Sequence, residues 1–265
     1  MPSRVDVILK LGGSAICDKA KPRTPLLHEI KRLAEEISKA KVERLVLLHG
    51  GGSYGHVVAK QYGLADGYQD SSQLIGLAQT RLAMMELNKT VVKLLLDQDI
   101  PVVSISPSSL VTTENGRIRQ LFLDPIIMAL ELGTVPLLFG DAVFDTKKGF
   151  AIVSADQLAS RLAIDLKADR VIMGMDVDGI MADNQHHTGR QELLKVVSAS
   201  DITTAWKHIE ESTKADVTGG FRGKLSEMIP VAQSGIKVLF VNARVPGRVY
   251  TALRKEETVG TILTK

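Results

Sequence analysis

One cysteine, Cys17, in a chain of 265 residues leaves no internal disulfide framework and fits a reducing compartment. Aromatic residues are scarce, at 4% of the chain, and basic residues gather only at Lys19-Ala20-Lys21-Pro22-Arg23 and Lys147-Lys148. With a net charge of only +3 and no basic stripe interleaved with aromatics, nucleic-acid binding lacks its electrostatic footprint. No apolar run approaches the roughly 20 residues that cross a bilayer. The N-terminal run is interrupted at Lys10, which makes it too short and too charged for a signal peptide. The expectation is a cytoplasmic protein with no nucleic-acid and no membrane partner. The remaining composition, 45% apolar and 24% charged, is that of a globular chain large enough for one α/β unit or two lobes.

Two nucleotide motifs fail on inspection. Gly50 to Gly55, within LLHGGGSYGH, satisfies G-x-G-x-x-G. A dinucleotide fingerprint also needs a second strand ending in an acidic residue about 20 residues further on. Asp70 lies at that distance, but Asp66 to Ser72, DGYQDSS, has the composition of a loop. A Walker A loop has no counterpart either, because Gly223-Lys224 is followed by Leu225 and Thr218 stands where the first glycine belongs.

What is present is a regular alternation. Val5 to Leu11 reads as a strand ending at Gly12-Gly13, and Leu26 to Ala40 carries Leu27, Ile30, Leu33, Ala34 and Ile37 at helical spacing. Arg44 to His49 repeats the strand, followed by Gly50-Gly51-Gly52 and a short helix from Ser53 to Tyr62. A long helix over Ser72 to Gln98 is predicted to bury Leu74, Leu77, Ala78, Arg81, Leu82, Met85, Val92 and Leu96. That phase puts Met85 in the core. Strands follow at Pro101 to Ile105 and Val135 to Phe139, with hairpin turns at Glu114-Asn115-Gly116 and at Thr146 to Gly149 and a short helix at Pro125 to Glu131. Ser154-Ala155-Asp156-Gln157 reads as a capping box opening a helix to Leu166. The last third holds strands at Arg170 to Met175, Lys237 to Val241 and Gly260 to Leu263, and helices near 203–211, 221–234 and 247–254. Continuous Val/Ile/Leu strands between helices predict a mostly parallel sheet covered on both faces, in one α/β unit whose halves form lobes.

In such a sheet ligands bind beyond the carboxyl ends of the strands. Four glycine turns lie there: Gly12-Gly13 after Lys10, Gly50-Gly51-Gly52, Asp176-Val177-Asp178-Gly179, and Gly219-Gly220 ahead of Lys224. A glycine turn lets the backbone approach an anion, and a helix N-terminus offers free N–H groups. Together with Lys10, Lys19 and Lys224 these turns suit several phosphate groups held side by side. Phosphoryl transfer asks mainly for positioning and cations around the migrating group.

Lys10-Leu11-Gly12-Gly13-Ser14 with Asp18-Lys19, His49 to His56, Gly140-Asp141, Asp176 to Gly179, and Asp216-Val217-Thr218-Gly219-Gly220 with Lys224 resemble, in order and over the whole chain, the amino acid kinase superfamily. Within it they look most like the isopentenyl phosphate kinases. The resemblance implies an open αβα sandwich, a homodimer, and a kinase using ATP and Mg2+ with isopentenyl phosphate as acceptor. It places an acceptor-binding and dimer lobe at residues 1–168 and a nucleotide-binding lobe at 169–265. By position, Lys10 and Lys224 grip the ATP phosphates, Lys19 stabilises the transition state and Asp156 holds the lysines. Gly12, Gly13, Ser14, Gly52, Asp176 and Gly220 line the nucleotide site. Gly51, Gly52, His56 and Ala155 meet the acceptor, and no residue is assigned to a metal. His56 marks the phosphate-accepting branch, its proton being easy to retain beside a dianion. Ala155 departs from the glycine usual there and brings a methyl group and a loss of easy access to positive φ.

Related readings are a kinase for a phosphonate such as fosfomycin, or a non-catalytic nucleotide sensor on the same fold. His186-His187, in DNQHHTGR, reads as a hairpin tip without a third metal ligand, and Trp206 as packing. The long helix is expected to border the acceptor's tail.

Overall fold

A computed structural model describes residues 4–183, 191–201 and 220–265. The chain opens with β1 (Val7–Leu11), one helical turn α1 (Gly13–Ile16), α2 (Leu27–Ala40) and β2 (Leu45–His49). Next come α3 (Gly52–Gln61), the long α4 (Ser72–Leu96), β3 (Val102–Ser104), β4 (Val111–Glu114), β5 (Arg117–Leu121), α5 (Asp124–Glu131) and β6 (Val135–Phe139). β7 (Asp141–Asp145) and β8 (Gly149–Val153) lead into α6 (Ala155–Asp165) and β9 (Arg170–Met175). The described remainder is β10 (Met181–Asp183), β11 (Gln191–Leu193), β12 (Val196–Ser198), α7 (Gly220–Gln233), β13 (Lys237–Asn242), α8 (Arg248–Arg254) and β14 (Gly260–Thr264). The expected helix near 203–211, Trp206, and the histidine pair at 186–187 lie outside the described residues.

The central sheet runs β12-β14-β13-β9-β1-β2-β6-β3 and is parallel throughout except where β13 meets β14. Its strands alternate faces with the period of two that a pleated strand imposes. Ile8, Val46, Leu48 and Leu138 enter one core with residues of α6 and α7, while Val7, Leu9, Leu45, Leu47 and Phe139 enter a second with α2, α4 and α8. This is the expected sandwich. The two expected hairpins are present as β4–β5 and β7–β8, but their union in a separate sheet, β5-β4-β7-β8, is not legible in the sequence, because β4 pairs in parallel with β7 from about 30 residues away. The carboxylate of Asp145 fastens both of its turns, accepting from the N–H groups of Asn115 (3.2 Å), Gly116 (2.7 Å), Lys147 (2.8 Å) and Lys148 (2.8 Å).

The phase expected for α4 is wrong. Its buried face carries Gln73, Gly76, Thr80, Ala83, Met84, Leu87, Asn88, Val91 and Leu95, while Leu74, Leu82, Met85 and Leu96 are about half exposed. Two of the polar side chains on the inner face, Gln73 and Asn88, find partners outside the helix. Gln73 Nε2 donates to the carbonyls of Tyr62 (3.1 Å) and Gly63 (3.2 Å), and Ser104 Oγ donates to Asn88 Oδ1 at 2.7 Å. The capping box is half right. Ser154 Oγ accepts the Gln157 N–H at 3.0 Å, but the Gln157 amide turns to the β4–β5 hairpin, accepting from the Ile118 N–H (2.9 Å) and donating to the Gly116 carbonyl (3.2 Å).

Candidate active site

β1 has β2 on one side and β9 on the other, so the sheet winds outward from it in both directions, and the carboxyl ends of these strands form its switch point. The strand ends are knitted together by Gly12 N–H to Gly174 O (2.7 Å), Gly50 N–H to Leu11 O (2.9 Å) and Gly140 N–H to His49 O (3.1 Å). The loops after β1 and β2 touch backbone to backbone. A Cβ on Gly13 would stand 2.2 Å from the Gly52 nitrogen, and one on Gly50 2.7 Å from the Gly13 nitrogen. Gly52 also has φ +50°, and Cys17 Cβ would lie 2.7 Å from any Cβ added there. The glycine run thus answers to this loop-on-loop contact as well as to ligand approach. Met84 closes the cradle from below, its Sδ 2.9 Å from where a Cβ on Gly51 would be and 2.8 Å from one on Gly55.

Lys10 shares its face of β1 with Ile8, the face that α6 covers, and only 3% of it is exposed. Asp156, in the first turn of α6, meets it there, with Lys10 Nζ 2.6 Å from Asp156 Oδ1. Lys224 Nζ, from the second turn of α7, lies 3.6 Å from Asp156 Oδ2. One carboxylate therefore bridges two ammonium groups from elements about 200 residues apart in sequence. Burial pushes the Asp156 carboxyl up, but Lys10 and Lys224 outweigh it and hold the group below its ordinary range. Burial, helped by Lys224, lowers the Lys10 ammonium, and Asp156 opposes that. The expected lysine–aspartate cluster is present.

A second carboxylate stands across the β1 loop. Asp176, at the end of β9, accepts from Ser14 Oγ at 2.7 Å and pairs with Lys19 Nζ at 2.7 Å. Burial raises the Asp176 carboxyl, while Lys19 and Ser14 together bring it below its usual value. Lys19 is 60% exposed and reaches the site from the loop after α1. Arg244, which no motif singles out, follows β13 and donates from Nη2 to the Ser14 carbonyl at 2.7 Å. Its contribution depends on a contact across 230 positions and has no local signature.

His56 lies on α3 one turn beyond Gly52, exposed at the surface and within the field of the lysine cluster. Partial burial lowers its pKa from 6.5, Lys224 and Lys10 lower it further, and Asp156 opposes them. These directions describe the ring with no dianion beside it, whereas the expectation that the proton is retained concerns the ring beside a bound dianion. Ala155 fits its place without strain. It is the first residue of α6, it is not among the residues with positive φ, and its methyl group packs in the core with Leu158. Gly12, Gly13 and Ser14 follow β1 as expected, and Gly220 begins α7, while 216–219 lie outside the described residues. Cavities of about 310 Å³, beside Arg32 and Tyr250, and about 530 Å³, beside Phe122 and Phe144, contain none of these residues. Among the described residues no three His, Cys, Asp or Glu side chains gather as a metal site.

A parallel sheet with two touching glycine loops at its switch point and a lysine–carboxylate–lysine bridge beside them defines a phosphotransferase of the amino acid kinase family, to which the chain belongs. The family's sequence profile matches residues 7–242. Within the family the chain belongs with the isopentenyl phosphate kinases. It is 35% identical to the isopentenyl phosphate kinase of Methanothermobacter thermautotrophicus over 97% of this chain and 98% of that one. It is 33% identical to that of Methanocaldococcus jannaschii, over 94% and 95%. An isopentenyl phosphate kinase solved by X-ray crystallography superposes with a TM-score of 0.84 at 33% identity, covering 97% of this chain and 99% of its own.

Proposed function

We propose that the chain transfers the γ-phosphoryl group of ATP to the phosphate of isopentenyl phosphate, giving isopentenyl diphosphate and ADP. The supporting observation is the convergence of two buried or half-buried lysines on Asp156, next to a glycine cradle followed one turn later by a histidine. Lys10 and Lys224 hold the ATP phosphates, with Asp156 keeping the two ammonium groups together. Gly12, Gly13, Ser14, Asp176 and Gly220 line the nucleotide's path. Gly51 and Gly52 present N–H groups to the acceptor phosphate, His56 supplies a further donor, and Ala155 offers its N–H at the start of α6. Lys19 leaves Asp176 to neutralise charge on the phosphoryl group in flight.

Both central carboxylates are already engaged by lysines, so the donor set suits Mg2+ carried on the nucleotide's phosphates better than a protein-built cage. When bound, Mg2+ neutralises phosphate charge. Residues 1–168 are assigned to the acceptor and 169–265 to the nucleotide. The exposed apolar stripe of α4, Leu74, Leu82 and Met85, is assigned to a homodimer contact. The lone reduced Cys17 suits the cytoplasm, and no helix among the described residues is long and apolar enough to cross a membrane.

The test is steady-state kinetics with isopentenyl phosphate and ATP varied in turn. His56→Gln is expected to raise KM for isopentenyl phosphate by about tenfold or more, the scale of one lost charge-assisted hydrogen bond, and to leave KM for ATP within about threefold. An unchanged acceptor KM overturns the assignment of His56.

A further inference from the structure

His49 is the last residue of β2 and has no exposed surface. It shares the face of Leu45 and Leu47, the side covered by α4, and stacks on Phe139 with ring centroids 5.5 Å apart. Its Nδ1 lies 3.1 Å from the Gly50 carbonyl oxygen, which can only accept, so Nδ1 carries the proton. Nε2 is then the acceptor, and Asn88 Nδ2 faces it at 3.5 Å. Asn88 is itself oriented by Ser104 Oγ, 2.7 Å from Oδ1. Burial holds the imidazole pKa down at about 4, against the Gly50 contact, so the ring stays neutral and keeps this tautomer at neutral pH.

The next peptide plane converts that bond into a direction. In a trans peptide the C=O of one residue and the N–H of the next point opposite ways, and among the described residues no peptide bond is cis. The Gly50 carbonyl is drawn inward to His49, so the Gly51 N–H must face outward. Among the described residues nothing accepts from the N–H of Gly51 or Gly52. These are free donors at the start of α3, next to the loop of Gly12 and Gly13.

We infer that His49 is a positioning residue: by holding the Gly50 carbonyl inside the sheet it turns the Gly51 N–H out into the cradle that receives the acceptor phosphate. The inference rests on the proposed use of that cradle. It separates two roles of one ring, an Nδ1 bond that aims the cradle and an Nε2 contact that only packs against α4.

Side-chain mimicry tests it. Asparagine places an amide N–H close to where Nδ1 stood, whereas glutamine replaces Nε2. His49→Asn is expected to keep KM for isopentenyl phosphate within about threefold, while His49→Gln and His49→Leu raise it by about tenfold or more, with KM for ATP within about threefold in all three. A merely structural role would move both constants together, or affect Asn and Gln alike, and either result overturns the inference. Inorganic phosphate titrated into the wild-type protein gives a readout that needs no turnover and no variant. The Gly51 amide is expected to shift in 1H–15N spectra, and a Gly51 amide that stays still at saturating phosphate also overturns the inference. A wild-type protein that binds phosphate at Gly51 but does not turn over isopentenyl phosphate would instead refute the proposed acceptor.

Discussion

Lys10 is legible in the sequence because a lysine inside an otherwise apolar strand has to be paired, and its partner Asp156 sits where the capping pattern of α6 puts an acidic first turn. Lys19 is legible as a cation near the glycine turns, but its particular role at the transition state comes only through the family resemblance. It lies 60% exposed in a loop, and its hold on Asp176 spans the β1 and β9 ends. Lys19→Ala is expected to lower kcat by about 10²–10³ with little change in KM for ATP, the scale of losing one transition-state contact. Rapid-mix turnover measurements check this, and a fall of less than about threefold would take Lys19 out of the chemistry. His49 is the opposite case. It stands at the head of the glycine run with no role that a motif assigns, because its meaning lies in a carbonyl orientation that has no sequence pattern.

The longest helix is misleading in its composition. In α4 periodicity places the leucines inside, yet the inner face takes Gln73, Thr80 and Asn88, while Leu74, Leu82 and Met85 face out. Long-range hydrogen bonds to Gln73 and Asn88 offset the cost of burying them, and such bonds cannot be counted from a hydrophobic pattern. An apolar stripe of this kind on a water-exposed helix calls for cover. Sedimentation equilibrium is expected to give a dimer, and Leu82→Glu with Met85→Glu is expected to shift it towards monomer while the melting profile of the monomer persists. A monomeric wild-type protein would reject α4 as an interface. α3 and α6 behave differently. Their starts are visible because glycine and serine mark N-termini, and both place residues of the proposed site within the first turn or just beyond it.

Across the molecule, alternating strands and helices suffice to imply the parallel sandwich and the edge where ligands bind. The strand order, which brings β9 beside β1 and so sets Asp176 opposite Ser14, does not follow from that alternation. Nor does the contact between the β1 and β2 loops, which explains the glycine run better than any fingerprint. The resulting site gathers anion-binding backbone, three lysines and a histidine at the sheet's switch point, an arrangement suited to joining two phosphates. That claim is tested most directly by following ADP release over a panel of isopentenyl phosphate, fosfomycin, acetylglutamate and UMP, with the isopentenyl product read by 31P NMR. Rapid turnover of isopentenyl phosphate alone, with a new diphosphate signal, is the expected result; preference for another acceptor, or no ADP release with any of the four, would contradict it.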